Sequence, residues 1–220
     1  MNPIFPSILS TDCFDLKSKL EEFERSGIDF IHLDIMDGHF VDNLSFGPSI
    51  IKPLKSDNFS FKVDSHLMVS NPDKMIPHFI RKGSDWISFH VEIKDNIEKN
   101  IKLIKDGNCK AGLALNPDTN AEEVFPYLPE IDYVLIMSVF PGYGGQKFIQ
   151  TSLEKAGKIK KKITELGLNC LIQIDGGVND KNVKVARENG VDIFVIGTYL
   201  YNSLDISEKT EKILKNINGE

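Results

Sequence analysis

His32 and Asp34 stand two residues apart in the apolar run Phe30-Ile31-His32-Leu33-Asp34-Ile35-Met36. His66 follows Asp64 at the same spacing in Asp64-Ser65-His66-Leu67-Met68, and Asp175 ends the run Ile172-Gln173-Ile174-Asp175. Residues two apart on a β-strand project to the same face, so each run turns its polar groups one way and its branched apolar groups the other. An imidazole and a carboxylate buried on such a face need each other, a metal or a substrate. Together the four side chains form a mixed nitrogen and oxygen donor set suited to zinc, with iron(II), cobalt or manganese as rivals. One interior histidine is ordinarily a hydrogen-bonded core residue, and one Asp-Gly-Gly is ordinarily a turn. Their coincidence at the ends of three runs is what points to a metal site. Asp64 reads as a partner that orients other polar groups. His90, beside Glu92, reads as a supporting or packing group rather than a direct ligand. His39, on the following loop, is open between a structural and a functional reading, and His78 reads as a surface residue of a helix.

A second kind of chemistry is suggested by glycine. Pro141-Gly142-Tyr143-Gly144-Gly145-Gln146, Gly176-Gly177 and Gly197-Thr198 each follow a late apolar run. Glycine lets the backbone approach a ligand closely, so successive N–H groups can converge on an anion such as phosphate. The paired glycines of 142–146 would also allow that loop to move as a lid.

These groups need a scaffold that gathers strand ends. Short β-branched runs at 4–9, 30–36, 61–68, 86–91, 111–115, 133–139, 171–175 and 193–197 alternate with amphipathic patterns. The helical ones cover 16–25, 72–82, 97–106, 153–166, 179–188 and 207–217, with two weak, short segments at 48–54 and 121–128. Asp12, Asp15 and Asn71-Pro72 suit helix starts, and Gly27, Gly83, Gly167 and Gly190 follow helix ends. Eight strands in this rhythm predict an α/β fold, a (β/α)8 TIM barrel spanning residues 1–220 as a single catalytic domain. An open dinucleotide-binding sheet fits less well, because Leu9-Ser10-Thr11-Asp12 stands where a GxGxxG turn would follow the first strand. In a barrel the active site lies where strands end and βα loops begin, and phosphate is often held after strands seven and eight.

Composition narrows the class. A chain of 220 residues, 41% hydrophobic, supports one sizeable core and little for a second. The net charge of −6 argues against a nucleic-acid surface, and Lys158-Ile159-Lys160-Lys161-Lys162 reads as a solvated helix face. No apolar run approaches the roughly 20 residues of a membrane span, and the first residues lack a basic flank and apolar stretch, so neither membrane nor secretory signal is expected. Cys13, Cys109 and Cys170, far apart and without a CxxC pair, read as packing residues in a reducing, cytoplasmic setting.

The segments Pro6-Ser7-Ile8-Leu9-Ser10, His32-Leu33-Asp34-Ile35-Met36-Asp37-Gly38-His39-Phe40-Val41, His66-Leu67-Met68, Met137-Ser138-Val139-Phe140-Pro141-Gly142-Tyr143-Gly144-Gly145-Gln146 and Asp175-Gly176-Gly177-Val178 resemble the signature of the ribulose-phosphate 3-epimerase family, in order and spacing from residue 4 to about 200. The resemblance implies interconversion of D-ribulose 5-phosphate and D-xylulose 5-phosphate through an ene-diolate. It implies His32, Asp34, His66 and Asp175 as ligands of one divalent ion, with Asp34 and Asp175 as the acid/base pair. It also implies substrate contacts from Ser7, His66, Gly142, Tyr143, Gly144 and Gly145, with Gly176, Gly177, Gly197 and Thr198 at the phosphate. Met36, Met68 and Met137 match methionines lining the family's reaction centre, and a homo-oligomer is expected. Phe140, Tyr143, Asp42 and Thr198-Tyr199-Leu200-Tyr201 depart from the usual pattern, which leaves another ketose phosphate, such as D-allulose 6-phosphate, as an alternative substrate. A phosphate-binding barrel lyase or decarboxylase is the alternative reaction class, though no lysine stands among the Asp and His positions.

Overall fold

Buried strands alternate with helices along the whole chain in the computed structural model, which describes residues 2–12, 14–56, 58–201 and 205–220. Eight strands, β1 (Ile4–Pro6), β2 (Phe30–Met36), β3 (Lys62–Met68), β4 (Trp86–His90), β5 (Lys110–Leu115), β6 (Tyr133–Met137), β7 (Leu171–Asp175) and β8 (Ile193–Ile196), form one parallel sheet in the order β1-β8-β7-β6-β5-β4-β3-β2. A parallel bridge between Ser7 and His32, with Ile8 N–H donating to the His32 carbonyl at 3.3 Å, joins β1 to β2 and closes the barrel. The first strand is thus shorter than the expected 4–9, because the chain leaves β8 after Pro6 to reach β2. The expected α/β barrel is the observed fold.

Outside the barrel lie α1 (Leu16–Arg25), α2 (Ile51–Leu54), α3 (Pro72–Lys82), α4 (Ile97–Asp106), α5 (Thr151–Glu165), α6 (Val183–Glu188), α7 (Thr198–Tyr201) and α8 (Ile206–Asn218). The two weak segments form 3-10 turns at Pro48–Ile50 and Ala121–Tyr127, the first running on into α2. Asp15 and Asn71 precede α1 and α3 as expected, yet neither side chain makes a capping bond. The four glycines expected after helix ends all have positive φ, between 63° and 96°. The basic run on α5 pairs with Glu122, Asp192 and Glu165 and faces outward. Cys109 and Cys170 are buried free thiols, whereas Cys13 lies outside the described residues. Among the described residues no helix is long and apolar enough to cross a membrane.

Strand alternation divides the core in two. Ile31, Leu33 and Ile35 of β2 join the outer core against the helices, while Phe30 joins Phe5, Trp86, Tyr133 and Ile193 inside the barrel. Phe5 and Phe30 stack at 4.2 Å, and Trp86 meets Tyr133 at 4.8 Å. Gly112 on β5 makes room for the Tyr133 ring, whose Cε1 would lie 2.6 Å from a β-carbon there. This aromatic floor fills the N-terminal part of the barrel, so the polar inward positions of β2, β3 and β7 fall above it, toward the mouth.

Candidate active site

Register decides which polar groups meet. The β2–β3 pairing sets His32 against Asp64 and Asp34 against His66, and the β6–β7 pairing sets Met137 against Asp175. His32, Asp34, His66 and Asp175 consequently present donor atoms that all lie within 4.8 Å of one another. The first three are buried, and Asp175 is partly open to the mouth.

The imidazoles are fixed from behind. His32 Nδ1 lies 2.8 Å from Asp64 Oδ2, and Asp64 also accepts from Tyr133 Oη at 2.9 Å and Gln173 Nε2 at 2.7 Å. A carboxylate receiving three donors makes His32 Nδ1 the donor and turns Nε2 toward the cluster. There, Nε2 is buried without a hydrogen-bond partner, 3.4 Å from Asp34 Oδ1. His66 Nδ1 lies 3.3 Å from the same Oδ1, and its Nε2 meets His90 Nε2 at 2.9 Å. His90 Nδ1 in turn meets Glu92 Oε2 at 2.9 Å. A buried ring nitrogen with no hydrogen-bond partner, beside two carboxylates, fits the chemistry of a metal ligand set. The cluster can therefore hold one metal ion.

Charge pulls the two carboxyls apart. Burial acts to raise Asp34, but the charge and hydrogen bond of the neighbouring His32 outweigh it and hold Asp34 well below the usual carboxylate range. Asp175 lacks such a partner, and burial followed by the charge of Asp34 pushes it up to about 7. Burial lowers His66 to about 4, whereas at His32 the charges of Asp34 and Asp64 overcome burial and raise it well above its ordinary value. Two carboxyls set so far apart make one proton acceptor and one proton donor at neutral pH.

In front of the cluster opens a cavity of about 210 Å³. Ser7, Asp34, Met36, Met68, Met137 and Asp175 line its inner end, and 142–146, Gly176, Gly177, Gly197 and Thr198 line the outer part. Every expected substrate contact reaches this cavity except His66, which sits behind Asp34 with His32. Ser7 Oγ donates to Asp34 Oδ2 at 2.6 Å, orienting that carboxylate. Gly177 has φ +64°, and a β-carbon there would lie 2.7 Å from the Phe148 nitrogen and 2.8 Å from the Gln146 oxygen, so only glycine lets the two loops touch. A β-carbon on Gly144 would collide with Ser10 Oγ, which accepts from Thr198 Oγ1 at 3.2 Å.

The 142–146 loop is tied across the mouth. Asn43 Nδ2 donates to the Gly142 carbonyl at 2.7 Å, and the Tyr143 hydroxyl donates to the Asp42 carbonyl at 2.9 Å. Gln146 Nε2 braces the same loop through the Phe140 and Tyr143 carbonyls at 2.7 and 2.9 Å. Two of the departures noted above thus meet each other, and a third has a local role: the Tyr201 hydroxyl donates to the Ser7 carbonyl at 2.9 Å. Phe140 remains half-exposed, and nothing in the structure explains it.

His39 lies outside the cluster on an exposed turn, its Nδ1 2.9 Å from the Asp37 carbonyl. Asp37 organises that turn by accepting from the backbone N–H of His39, Phe40 and Ser70. His78 is exposed on α3, as expected. Three residues escaped the sequence reading. Gln173 stands two before Asp175 and so shares its inward face, a usable signal. Tyr133 and Ser10 carry no pattern that sets them apart from packing and loop residues.

Fold and site together define a (β/α)8 barrel with a metal-competent His/Asp cluster at the floor of a glycine-rimmed cavity. The ribulose-phosphate 3 epimerase family model matches residues 3–201, and the chain belongs to the ribulose-phosphate 3-epimerase family. It is 38% identical to the ribulose-phosphate 3-epimerase of Aquifex aeolicus, over 97% of this chain and 96% of that one. The Bacillus subtilis ribulose-phosphate 3-epimerase is also 38% identical, over 97% and 98%. Among solved structures, 3-hexulose-6-phosphate synthase from Salmonella typhimurium superposes with a TM-score of 0.72 at 14% identity, covering 99% of each chain. KGPDC from Streptococcus mutans superposes with a TM-score of 0.73, also at 14% identity, covering 100% of this chain and 98% of that one. At that identity the likeness is one of fold.

Proposed function

We propose that this chain interconverts D-ribulose 5-phosphate and D-xylulose 5-phosphate by moving a proton at C3, within pentose phosphate metabolism. The observation that carries the reading is the pairing of Asp34 and Asp175, held by two strands at opposite ends of the carboxyl range and facing one cavity. Asp34 takes the C3 proton from one epimer, and Asp175 returns one to the other face; the reverse reaction exchanges the roles. Ser7 Oγ keeps Asp34 aimed at the cavity. His32, Asp34, His66 and Asp175 would hold one divalent ion, with zinc the best match to the donor set and iron(II), cobalt or manganese next. Such an ion would supply positive charge that stabilises the negative charge developing on the substrate oxygens. Gly176, Gly177, Gly197 and Thr198 would hold the phosphate through backbone N–H groups, fixing the end that does not react. The loop carrying Gly142, Tyr143, Gly144 and Gly145, already tied over the mouth, would keep water from the intermediate.

Turnover needs one carboxyl protonated and the other ionised. Activity is expected to fall as pH drops and Asp34 protonates, and again as pH rises and Asp175 loses its proton, giving a bell-shaped kcat/KM profile. A flat profile with chemistry rate-limiting contradicts the pairing. The substrate itself is tested by incubating the zinc-loaded chain with ribulose 5-phosphate and, separately, allulose 6-phosphate. Xylulose 5-phosphate forming with the higher kcat/KM supports the reading; turnover of the hexulose phosphate alone replaces the substrate and keeps the chemistry. A homo-oligomer is part of the proposal, with exposed Phe14, Leu44 and Tyr143 supplying apolar surface, and so is a cytoplasmic setting, which suits the free buried thiols.

A further inference from the structure

We propose that Glu92, acting through His90, is a positioning residue that fixes His66 as the tautomer whose Nδ1 lone pair faces the metal site. The inference rests on the metal reading above. It starts at Glu92 Oε1, which accepts from the Asn116 N–H at 2.8 Å and from the Thr119 hydroxyl. The Asn116 loop is itself anchored, because Lys155 of α5 donates from Nζ to the Asn116 carbonyl at 2.6 Å and to the Pro117 carbonyl at 3.2 Å. With Oε1 committed, only Oε2 is left to face His90 Nδ1, 2.9 Å away.

From there each bond dictates the next. A carboxylate only accepts, so His90 Nδ1 carries the hydrogen, and the Nε2 of a neutral ring is then a bare acceptor. His90 Nε2 meets His66 Nε2 at 2.9 Å, so the hydrogen between them belongs to His66 Nε2. His66 Nδ1 is left with a lone pair, pointing at the cluster alongside the orphaned His32 Nε2. A carboxylate fixes each ring, directly in His32 and through one further imidazole in His66. Once an ion displaces the His32 proton, both rings would supply a neutral nitrogen to the same point.

Glu92→Gln reverses the relay without changing its shape. The Asn116 N–H still requires an oxygen, which leaves the amide NH₂ facing His90 Nδ1. That nitrogen must then accept, His90 Nε2 must donate, and the hydrogen on His66 moves to Nδ1, where the ion would bind. The test is long-range ¹H–¹⁵N imidazole spectroscopy of the metal-free protein at pH 8, with zinc affinity measured by chelator competition. The expected result is an Nε2–H tautomer at His66 in the wild type, an Nδ1–H tautomer in E92Q, and zinc bound ~10–100-fold more weakly by E92Q. An Nδ1–H tautomer at His66 in the wild type overturns the inference whether or not the variant folds. Equal zinc affinity of wild type and E92Q overturns it as well. A wild type that takes up no zinc overturns the metal reading and this inference with it, and the wild-type titration alone identifies that case.

Discussion

Asp175→Asn is expected to lower kcat by ~10²–10⁴-fold while leaving the fold intact, and Asp34→Asn by at least as much. The amide keeps the size of the carboxyl but can neither take a proton from carbon nor return one. Asp175 is the cleaner test, because it is partly open and its backbone carbonyl, not its carboxyl, accepts from the Ser138 N–H at 2.7 Å and hydroxyl at 2.8 Å. Its removal also relieves the repulsion with Asp34, so the variant should melt no earlier than the wild type. Asp34→Asn disturbs more, since Oδ2 accepts from Ser7 and Oδ1 sits near both His32 and His66. The double variant should be little worse than either single one, because a proton relay fails once either end is gone. Initial rates with matched circular dichroism check this. Near-normal turnover by Asp175→Asn would sink the two-carboxylate scheme.

Stripping the chain with a chelator is expected to abolish turnover, and the pH dependence of metal uptake should then expose the site. In the metal-free chain Asp175 holds its proton up to about 7, and His32, between Asp34 and Asp64, stays protonated above its ordinary range. A divalent ion ligated by the His32 nitrogen competes with the His32 proton, and raising the pH therefore strengthens binding. His66, lowered to about 4, is neutral throughout and does not contribute. Calorimetry in buffers of different ionisation enthalpy measures the protons released. Uptake that is independent of pH between 6 and 8 would mean that the ion binds elsewhere. Full activity after chelation would remove it from the chemistry.

Much of this was legible in the sequence for a simple physical reason. Period-two alternation on β2 reads identically in letters and in space, so His32 and Asp34 could be assigned to one inward face, and the glycine pairs announced tight loops wherever they fell. Register is what letters do not carry. Nothing in the runs themselves says that Asp34 lies beside His66, or that Tyr133 of β6 reaches across the barrel to Asp64 while Gly112 gives way to its ring. The capping expectations for Asp15 and Asn71 named the right positions but not the bonding, since neither residue has the extended backbone from which a capping side chain reaches the first turn. His39 could not be resolved from type and position alone; the Asp37 turn, built from three backbone donors, carries it away from the cluster.

The most direct test of the account is proton exchange at carbon. The zinc-loaded chain is incubated with ribulose 5-phosphate in D₂O, and C3 is followed by NMR. The account predicts deuterium at C3 as xylulose 5-phosphate accumulates, with xylulose 5-phosphate formation lost in Asp175→Asn. Xylulose 5-phosphate forming with the original hydrogen retained at C3, under conditions where Asp175 exchanges freely with solvent, would contradict it.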